Sequence, residues 1–326
     1  MKAVLCKEFG PPETLVIGET ETPKPEKGTV RIAVEACGMN FPDSLIIQNK
    51  YQFKPPLPFS PGGEVAGIVD AVGEGTDPSL LGKRVMAMTL HGGLAEYVVV
   101  PADALLPCPA DMPFETAAGF TMTYGTSMHA LKQRGQLRPG EVLLVLGAGG
   151  GVGLAAVEIG KQMGATVIAA ASSDDKLAAA RSGGAHHTIN YAKDDLREEI
   201  KRLTDGRGVD VVYDPAGGDL FEAALRSTAW GGRVLVVGFA SGDIPKISMN
   251  LPLLKGCAIV GVFWGAFRLR NVAEDNRNFE QLFKWYAQGG LSPLISKTYG
   301  LSDAPQAIAD LQNRKAIGKI VVRVRS

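Results

Sequence analysis

The sequence of 326 residues is poor in cysteine and has no excess of either charge. Its four cysteines, Cys6, Cys37, Cys108 and Cys257, are widely spaced and form no CxxC pair. This spacing argues against a disulfide framework and a structural zinc lobe, and is typical of proteins in a reducing cytosol. Lysine plus arginine equals aspartate plus glutamate, at 34 each, so net charge attracts neither nucleic acid nor an anionic membrane.

Long apolar runs are missing as well. No run approaches the length of a membrane span, and the N-terminal stretch MKAVLCKEFGPPETL lacks the apolar core of a signal peptide. The composition, with 45% hydrophobic and 21% charged residues, is that of an ordinary globular protein. We therefore expect a cytoplasmic protein of two domains that binds neither nucleic acid nor membranes.

The most informative stretch runs from Glu141 to Lys176. An apolar run at 142–146, typical of a strand buried on both faces, precedes five glycines within seven residues. An amphipathic helical pattern and a second apolar run follow. Strand, glycine turn, helix and strand form the unit that binds a dinucleotide pyrophosphate, because the backbone must approach the phosphates and the helix N-terminus offers N–H groups. The turn predicts cofactor contacts from Gly147, Gly150, Gly151, Val152 and Gly153.

Strand and helix patterns alternate from Glu141 onward and predict an α/β fold with a doubly wound parallel (Rossmann) sheet. The predicted strands are 142–146, 166–171, 187–189, 209–213, 233–239 and 257–263, and the helices are 152–163, 175–182, 194–204 and 218–228. The segment 115–131 has helical composition and is expected to be interrupted at Gly119 and Gly125.

The first hundred residues contain short alternating segments broken by Gly and Pro, which predict a mostly antiparallel β domain. The last segment has a helical pattern near 272–288 and short strands near 297–300 and 319–324. We expect it to return to the first domain, which is then discontinuous. The predicted domains are residues 1–122 with 265–326, and residues 123–264.

Several motifs together resemble the zinc-free NADPH:quinone oxidoreductases, the zeta-crystallin-like group of the medium-chain dehydrogenase/reductases. The resemblance covers essentially the whole chain. It implies a GroES-like catalytic domain, an active site in a cleft between domains, and commonly a homodimer. The motifs are NFPD at 40–43, Tyr51, PGGEVAG at 61–67, the glycine turn, INY at 189–191, VDVVYDPAGG at 209–218 and NRKAIGKIVV at 313–322.

The resemblance also supplies the catalytic candidates. Asn40 and Gly63 hold the positions at which zinc alcohol dehydrogenases of this superfamily place a cysteine and a histidine, so no metal site is predicted. Asn40 is a candidate hydrogen-bond partner of an acceptor carbonyl. Tyr51 either donates to a developing enolate or walls the pocket, and Asp43 either orients Asn40 or the substrate, or caps a helix.

The second strand ends Ala169-Ala170-Ala171-Ser172-Ser173, without the acid that binds the ribose 2′-OH of NAD. Ser172 and Ser173 can donate to a 2′-phosphate, and the resemblance adds Lys176 and Tyr191, so NADPH is predicted over NADH. Asp174 and Asp175 are interpreted as first-turn helix residues turned to solvent. Near the nicotinamide the resemblance places Thr126 and the backbone of Gly238, Phe239, Ala240, Phe263, Trp264 and Gly265.

The sequence therefore predicts an NADPH-dependent reductase that transfers a hydride to a quinone or an α,β-unsaturated carbonyl without a metal. An enoyl-thioester reductase is the nearest enzymatic alternative, and only Lys50 and Lys54 are candidates for its CoA phosphates. The other alternative is an NADPH-binding structural or sensor protein that catalyses no reaction. The apolar segment Cys257–Phe263 would be a liability as an exposed edge strand, which predicts that it pairs in a homodimer.

Overall fold

The computed structural model describes residues 1–313 and 316–325, and the chain forms two compact units. One unit contains residues 1–122 and the segment from Pro293 onward, and the other contains Thr123–Ser292. Arg314, Lys315 and Ser326, which belong to the predicted C-terminal motif and segment, lie outside the described residues. None of the helices in the described ranges combines the length and apolarity needed to cross a membrane.

Strands and helices are numbered along the chain. The strands are β1 (Lys2–Leu5), β2 (Val16–Glu19), β3 (Thr29–Gly38), β4 (Glu64–Val72), β5 (Arg84–Met88), β6 (Tyr97–Pro101), β7 (Leu106–Pro107), β8 (Val142–Val145), β9 (Thr166–Ala171), β10 (His187–Asn190), β11 (Val209–Asp214), β12 (Thr228–Val236), β13 (Ala258–Gly261), β14 (Ile295–Gly300) and β15 (Lys319–Arg323). The helices are α1 (Phe41–Ile46), α2 (Phe114–Ala118), α3 (Thr121–Met128), α4 (Gly151–Gln162), α5 (Asp174–Ser182), α6 (Leu196–Leu203), α7 (Leu220–Arg226), α8 (Asn250–Lys255), α9 (Trp264–Arg270), α10 (Val272–Ala287) and α11 (Ala304–Gln312).

In the first unit, β3 is the central strand of a sheet with the order β14-β15-β3-β4-β5-β7, and β6 also pairs with β3. Alternate residues of β3, such as Val30 and Ile32, are buried in the core, as in a strand with one face on the interior. All pairings of β3 are antiparallel, as predicted. Gly38 pairs with Glu64 in β4 and with Val321 in β15, so three strands meet where β3 ends.

The second unit contains six parallel strands in the order β10-β9-β8-β11-β12-β13. Helices α4 to α8 connect consecutive strands, which confirms the predicted doubly wound sheet. Strands β8 and β9 are almost entirely buried, as expected where helices cover both faces of a parallel sheet. The chain winds outward in both directions from β8 and β11, and in such sheets the ligand crevice opens at the carboxyl ends of these two strands.

Residues 265–292 differ from the prediction, because they fold with the second unit rather than the first. Helices α9 and α10 are held together there by buried polar bonds. The indole nitrogen of Trp264 donates to Asp275 at 2.9 Å, and Arg268 forms an ion pair with Asp275 at 2.7 Å. Asn278 of α10 also accepts hydrogen bonds from Lys132 at 2.9 Å and from Gln133 at 3.0 Å, which join this segment to the rest of the second unit. Contacts between residues so far apart leave no local signal in the sequence, which explains why the predicted boundary lies too early in the chain.

Gly125 lies inside α3, and the predicted interruption at this glycine is wrong. A Cβ atom at Gly125 would stand 2.6 Å from the indole ring of Trp264 and 3.1 Å from the ring of Phe279. The glycine therefore makes room for two aromatic rings of the second unit and does not break the helix. Gly119 behaves as predicted, because it is the C-cap residue of α2.

Candidate active site

A buried polar cluster of Asn40, Asp43, Glu64 and Lys319 lies in the first unit where β3, β4 and β15 meet. Glu64 is 0% exposed and Lys319 is 6% exposed. The ammonium nitrogen of Lys319 donates to Glu64 Oε1 at 2.6 Å, to Asn40 Oδ1 at 2.8 Å and to the carbonyl oxygen of Met39 at 2.7 Å. All three protons of the ammonium group are therefore used, as a buried charge requires.

Glu64 is bonded through both carboxylate oxygens. Oε1 accepts from Lys319 and from the amide of Asn40, and Oε2 accepts from the backbone N–H of Met122 at 2.8 Å. The carboxylate thus fastens the end of β3, the start of β15 and the first turn of α3 to the start of β4. The sequence reasoning did not select Glu64 or Lys319 as site residues, although both lie in motifs that it quoted.

The side-chain amide of Asn40 is fully engaged in this cluster. Its oxygen accepts from Lys319, which fixes the orientation of the amide because an ammonium group can only donate. Its nitrogen donates to Glu64 Oε1 at 2.8 Å and to the carbonyl oxygen of Gly38 at 3.2 Å. An acceptor carbonyl would have to compete with Gly38 and Glu64 for these N–H groups. In this arrangement the amide holds the cluster together.

Asp43 is the third residue of α1, and the N-cap residue of that helix is Asn40. The carboxylate of Asp43 accepts the backbone N–H of Asn40 at 2.7 Å and that of Gly62 at 3.2 Å. Asp43 therefore bonds back to the helix start from inside the first turn, and is not the N-cap itself. Burial raises the pKa of Asp43 to about 6, against the opposing effect of its bond to Asn40.

Tyr51 follows α1 and packs, half-buried, against the core of the first unit. Burial raises the pKa of its hydroxyl, and the neighbouring carboxylate of Asp43 raises it further. Tyr51 therefore lies close enough to Asp43 to interact with it electrostatically, and Asp43 is bonded to the backbone N–H of Asn40. The hydroxyl of Tyr51 stays protonated at neutral pH and remains a candidate proton donor.

The metal-ligand positions of zinc dehydrogenases offer no comparable ligands in this chain. A Cβ atom at Gly63 would lie 3.6 Å from Asp43 Oδ1, so a side chain here would point at the polar cluster. Within residues 1–313 and 316–325, no three His, Cys, Asp or Glu side chains are grouped to hold a metal ion. Cys37 is a fully buried thiol whose pKa is raised well above its usual value, mainly by burial.

In the second unit, the glycine turn follows β8 at the carboxyl edge of the sheet. Gly147 has a φ of +57°, in the left-handed region that favours glycine. A Cβ atom at Gly153 would overlap the carbonyl oxygen of Gly147 and lie 2.9 Å from the Cα of Ala148, so α4 packs tightly on the turn. Gly150 is the N-cap of α4, where no side chain caps the helix. Such a turn suits a pyrophosphate group bound by backbone N–H groups.

The predicted 2′-phosphate residues converge on the tip of β9. The backbone N–H of Tyr191 donates to the carbonyl oxygen of Ala171 at 3.2 Å, which places Tyr191 beside the strand end. Ser172 follows the strand and is exposed, and Ser173 is the N-cap of α5. Lys176 lies across the glycine turn, because a Cβ atom at Gly149 would stand 2.5 Å from its Cγ. Sequence reasoning missed this packing role of Gly149.

The predicted nicotinamide residues lie at the ends of β12 and β13 and on α3. The loop after β12 packs on the loop after β11, since the N–H of Gly238 donates to Asp214 and that of Ala240 to Pro215. Phe239 lies between them on the same loop, and Phe263 and Gly265 flank Trp264 at the start of α9. The buried indole of Trp264 serves the core of the unit, as described above. Thr126 is a half-buried residue of α3.

Comparisons with known proteins agree with this architecture. Residues 26–110 match the family described as alcohol dehydrogenase GroES-like domain, and residues 151–288 match the one described as zinc-binding dehydrogenase. The chain is 37% identical over 327 residues to quinone oxidoreductase-like protein 2 homolog of Nematostella vectensis, with 99% of this chain and 89% of the relative covered.

Two solved structures extend the likeness. The quinone oxidoreductase of Escherichia coli complexed with NADPH matches with a TM-score of 0.92 and 28% identity, over 99% of this chain and 100% of that one. The quinone oxidoreductase of Thermus thermophilus, also solved with NADPH, matches with a TM-score of 0.86 and 35% identity over the same shares. The chain belongs to the medium-chain dehydrogenase/reductases, with a GroES-like domain and a Rossmann domain. Within them it is a member of the quinone oxidoreductase group, as the sequence predicted.

Proposed function

We propose that the protein is an NADPH-dependent reductase that transfers a hydride to a quinone or another α,β-unsaturated carbonyl without a metal. The observation that carries the proposal is that the side chains of the polar cluster do not form a metal-ligand set. An amide and a glycine stand where zinc dehydrogenases have ligands, and the nearby carboxylate of Glu64 is already bonded to an ammonium group. Quinones and enones are electrophilic without a Lewis acid, so they are the acceptors that this site suits.

NADPH is the cofactor, as predicted, and supplies the hydride when bound. The quinone oxidoreductases of E. coli and T. thermophilus are solved as NADPH complexes. The residues of this chain fit the cofactor. The glycine turn and the start of α4 would hold the pyrophosphate, and the tip of β9, which carries two serines in place of an acid, would hold the 2′-phosphate.

Tyr51 is the proposed proton donor. Its hydroxyl, whose pKa is raised by burial, is protonated at neutral pH and can donate a hydrogen bond to the oxygen on which charge develops as the hydride arrives. The amides and carboxylates of the polar cluster would hold the surrounding backbone in place. An enoyl-thioester reductase remains the alternative, and its CoA phosphates would have only Lys50, which donates to Gln48 at 2.8 Å, and Lys54 as candidate partners.

The proposal is tested by following NADPH oxidation with quinones, simple enones and enoyl thioesters, while oxygen uptake is recorded to detect one-electron reduction. We expect turnover with quinones or simple enones. Turnover confined to enoyl thioesters would establish the alternative activity. NADPH binding without turnover on any acceptor would instead favour a structural or sensor role.

Zinc should be absent from the purified protein and irrelevant to turnover. The physical reason is the lack of a ligand set at Asn40 and Gly63. We expect elemental analysis to find far less than one zinc per chain, and expect a chelator to leave NADPH oxidation unchanged. A zinc alcohol dehydrogenase treated in the same way is the control. Stoichiometric zinc that leaves together with activity would contradict the prediction.

A homodimer through β13 is part of the proposal. In the described part of the chain β13 is the edge of the six-stranded sheet, and Ala258 and Ile259 on it are exposed. Two further exposed apolar side chains belong to the neighbouring elements, Trp230 of β12 at 83% and Leu253 of α8 at 74% exposure. The Trp230 ring covers the turn before β13, because a Cβ atom at Gly256 would stand 2.7 Å from it. An uncovered apolar edge of this kind invites strand pairing.

The dimer should be visible by light scattering at micromolar concentration. Ile259→Lys places a charge on the edge strand, and we expect it to shift the mass toward that of a monomer. Leu81→Lys is the matched control, since Leu81 is an exposed apolar residue that belongs to the first unit. A monomeric wild type, or an equal effect of the two substitutions, would refute pairing through β13.

The cytosol is the proposed location. Cys6, Cys37, Cys108 and Cys257 are all free thiols in the structure. Burial raises the pKa of Cys6, Cys37 and Cys108, which makes these thiols poor nucleophiles. Free buried cysteines without disulfides are typical of proteins in reducing compartments.

A further inference from the structure

Two carboxylates, Asp174 and Asp175, lie in the sequence between the predicted 2′-phosphate residues Ser173 and Lys176, and Asp174 is the one nearer to the end of β9. It is the first residue of α5, directly after Ser173, and Lys176 follows two residues later. An acid at this strand tip binds the ribose 2′-OH in NAD-specific folds and repels a 2′-phosphate. An uncompensated carboxylate at Asp174 would therefore weaken the binding of NADPH. The hydrogen-bond partners of Asp174 decide whether its charge is compensated.

The structure shows that Asp174 is held from the neighbouring strand. Asn190 Nδ2 donates to Asp174 Oδ1 at 2.7 Å, and Lys193 Nζ donates to Asp174 Oδ2 at 2.7 Å. Both carboxylate oxygens thus point to the turn after β10. The Asp174 side chain is 71% exposed, so it faces solvent as expected, and it does so within an exposed ion pair. The Lys193 bond is also the largest cause of the lowered pKa of Asp174, so the carboxylate is charged.

The partners of Asp174 are themselves well fixed. Asn190 is buried, and it is paired in register with Ala171, the last residue of β9. Its side-chain oxygen accepts the backbone N–H of Ala192 at 3.2 Å, which turns its NH2 group toward Asp174. The N–H of Lys193 donates to the carbonyl oxygen of Asn190 at 2.9 Å, so both donors belong to one tight turn.

We propose that the Asn190–Lys193 turn is a cofactor-specificity element, which orients and compensates the carboxylate of Asp174 so that the tip of β9 accepts a 2′-phosphate. The inference rests on NADPH being the cofactor. Lys193 acts here through Asp174 and is a positioning residue. The turn lets the chain keep an acidic first-turn residue, which favours the start of α5, without excluding the phosphate.

The test is a double-mutant cycle on cofactor binding. NADPH and NADH are titrated by calorimetry at low ionic strength against wild type, Lys193→Met, Asp174→Asn and the double variant. For Lys193→Met we expect NADPH to bind about two- to fivefold more weakly, the range of an exposed ion pair, with NADH unchanged or tighter. Added salt should reduce the difference. In the Asp174→Asn background, Lys193→Met should have no further effect on NADPH.

The cycle separates this inference from its rivals. If Lys193→Met weakens NADPH equally in the Asp174→Asn background, Lys193 contacts the phosphate directly and the proposal is wrong. An unchanged ratio of NADPH to NADH affinity in Lys193→Met would also overturn it. Lys201→Met is the control, because Lys201 is an exposed lysine of α6 that pairs with Glu198 at 4.0 Å. Failure of wild type to prefer NADPH would count against the cofactor assignment itself.

Discussion

Replacement of Lys319 by methionine should destabilise the first unit by about 3–5 kcal/mol, because it leaves the buried charge of Glu64 without its partner. The variant keeps most of the volume of the side chain. It removes the donor to Glu64 Oε1, to Asn40 Oδ1 and to the carbonyl oxygen of Met39 at once. Since one cation satisfies three oxygen acceptors at the junction of β3, β4 and β15, its loss should loosen all three strands.

The measurement can be made specific to each unit. Trp230, Trp264 and Trp285 all lie in the second unit, so tryptophan fluorescence reports its unfolding alone. Hydrogen exchange of the β3 and β4 amides reports the first unit. We expect Lys319→Met to accelerate that exchange strongly, with little change in the fluorescence transition.

A neighbour on the same strand provides the control. Arg323 in β15 forms an exposed ion pair with Glu115, and Arg323→Met should cost less than about 1 kcal/mol. The double variant Lys319→Met with Glu64→Leu should recover part of the loss, because it removes the unpaired charge as well. If Lys319→Met is no more destabilising than Arg323→Met, the cluster does not hold the strands together.

The same cluster shows where sequence reasoning ends. Lys319 and Glu64 each begin an apolar strand, a position at which a charged residue is usually solvent-exposed, and they are 255 positions apart. Nothing local indicates that they meet. Asn40 is a predicted site residue because of its motif, but the motif could not show that Gly38, Glu64 and Lys319 already occupy its amide.

The Rossmann unit was predicted far more completely, and for a physical reason. Several of its strands are continuous apolar runs such as Val142–Val145, and several of its helices begin at a capping residue, such as Ser173 of α5, so much of the signal is local. The prediction was wrong where the conformation at a glycine, or the position of a domain boundary, depends on contacts with residues that are distant in the sequence. Gly125 accommodates the ring of Trp264. The chain returns to the first unit only at Pro293 because contacts such as the bonds of Asn278 to Lys132 and Gln133 hold the preceding segment in the second unit.

Removal of the Lys176 side chain should weaken NADPH and leave NADH nearly unaffected. A charge-assisted hydrogen bond contributes about 1.5–3 kcal/mol, so Lys176→Ala should raise the Kd for NADPH roughly ten- to a hundredfold at 1.4 kcal/mol per factor of ten. NADH has no phosphate at this position and loses no such bond. Titration of both cofactors against the wild type and the variant measures the difference directly.

The structure adds a second route to the same result. Because the stem of Lys176 lies across Gly149, a Gly149→Ala change should displace the side chain without removing its charge, and should weaken NADPH in the same direction. Lys161→Ala is the control, since Lys161 is an exposed lysine in the last turn of α4, away from the glycine turn. Equal losses of affinity for NADPH and NADH in Lys176→Ala would mean that the lysine shapes the binding site but makes no contact with the 2′-phosphate. Tighter binding of NADH by the wild type would overturn the assignment, and would point to Asp174 as a ribose ligand despite its bonds to Asn190 and Lys193.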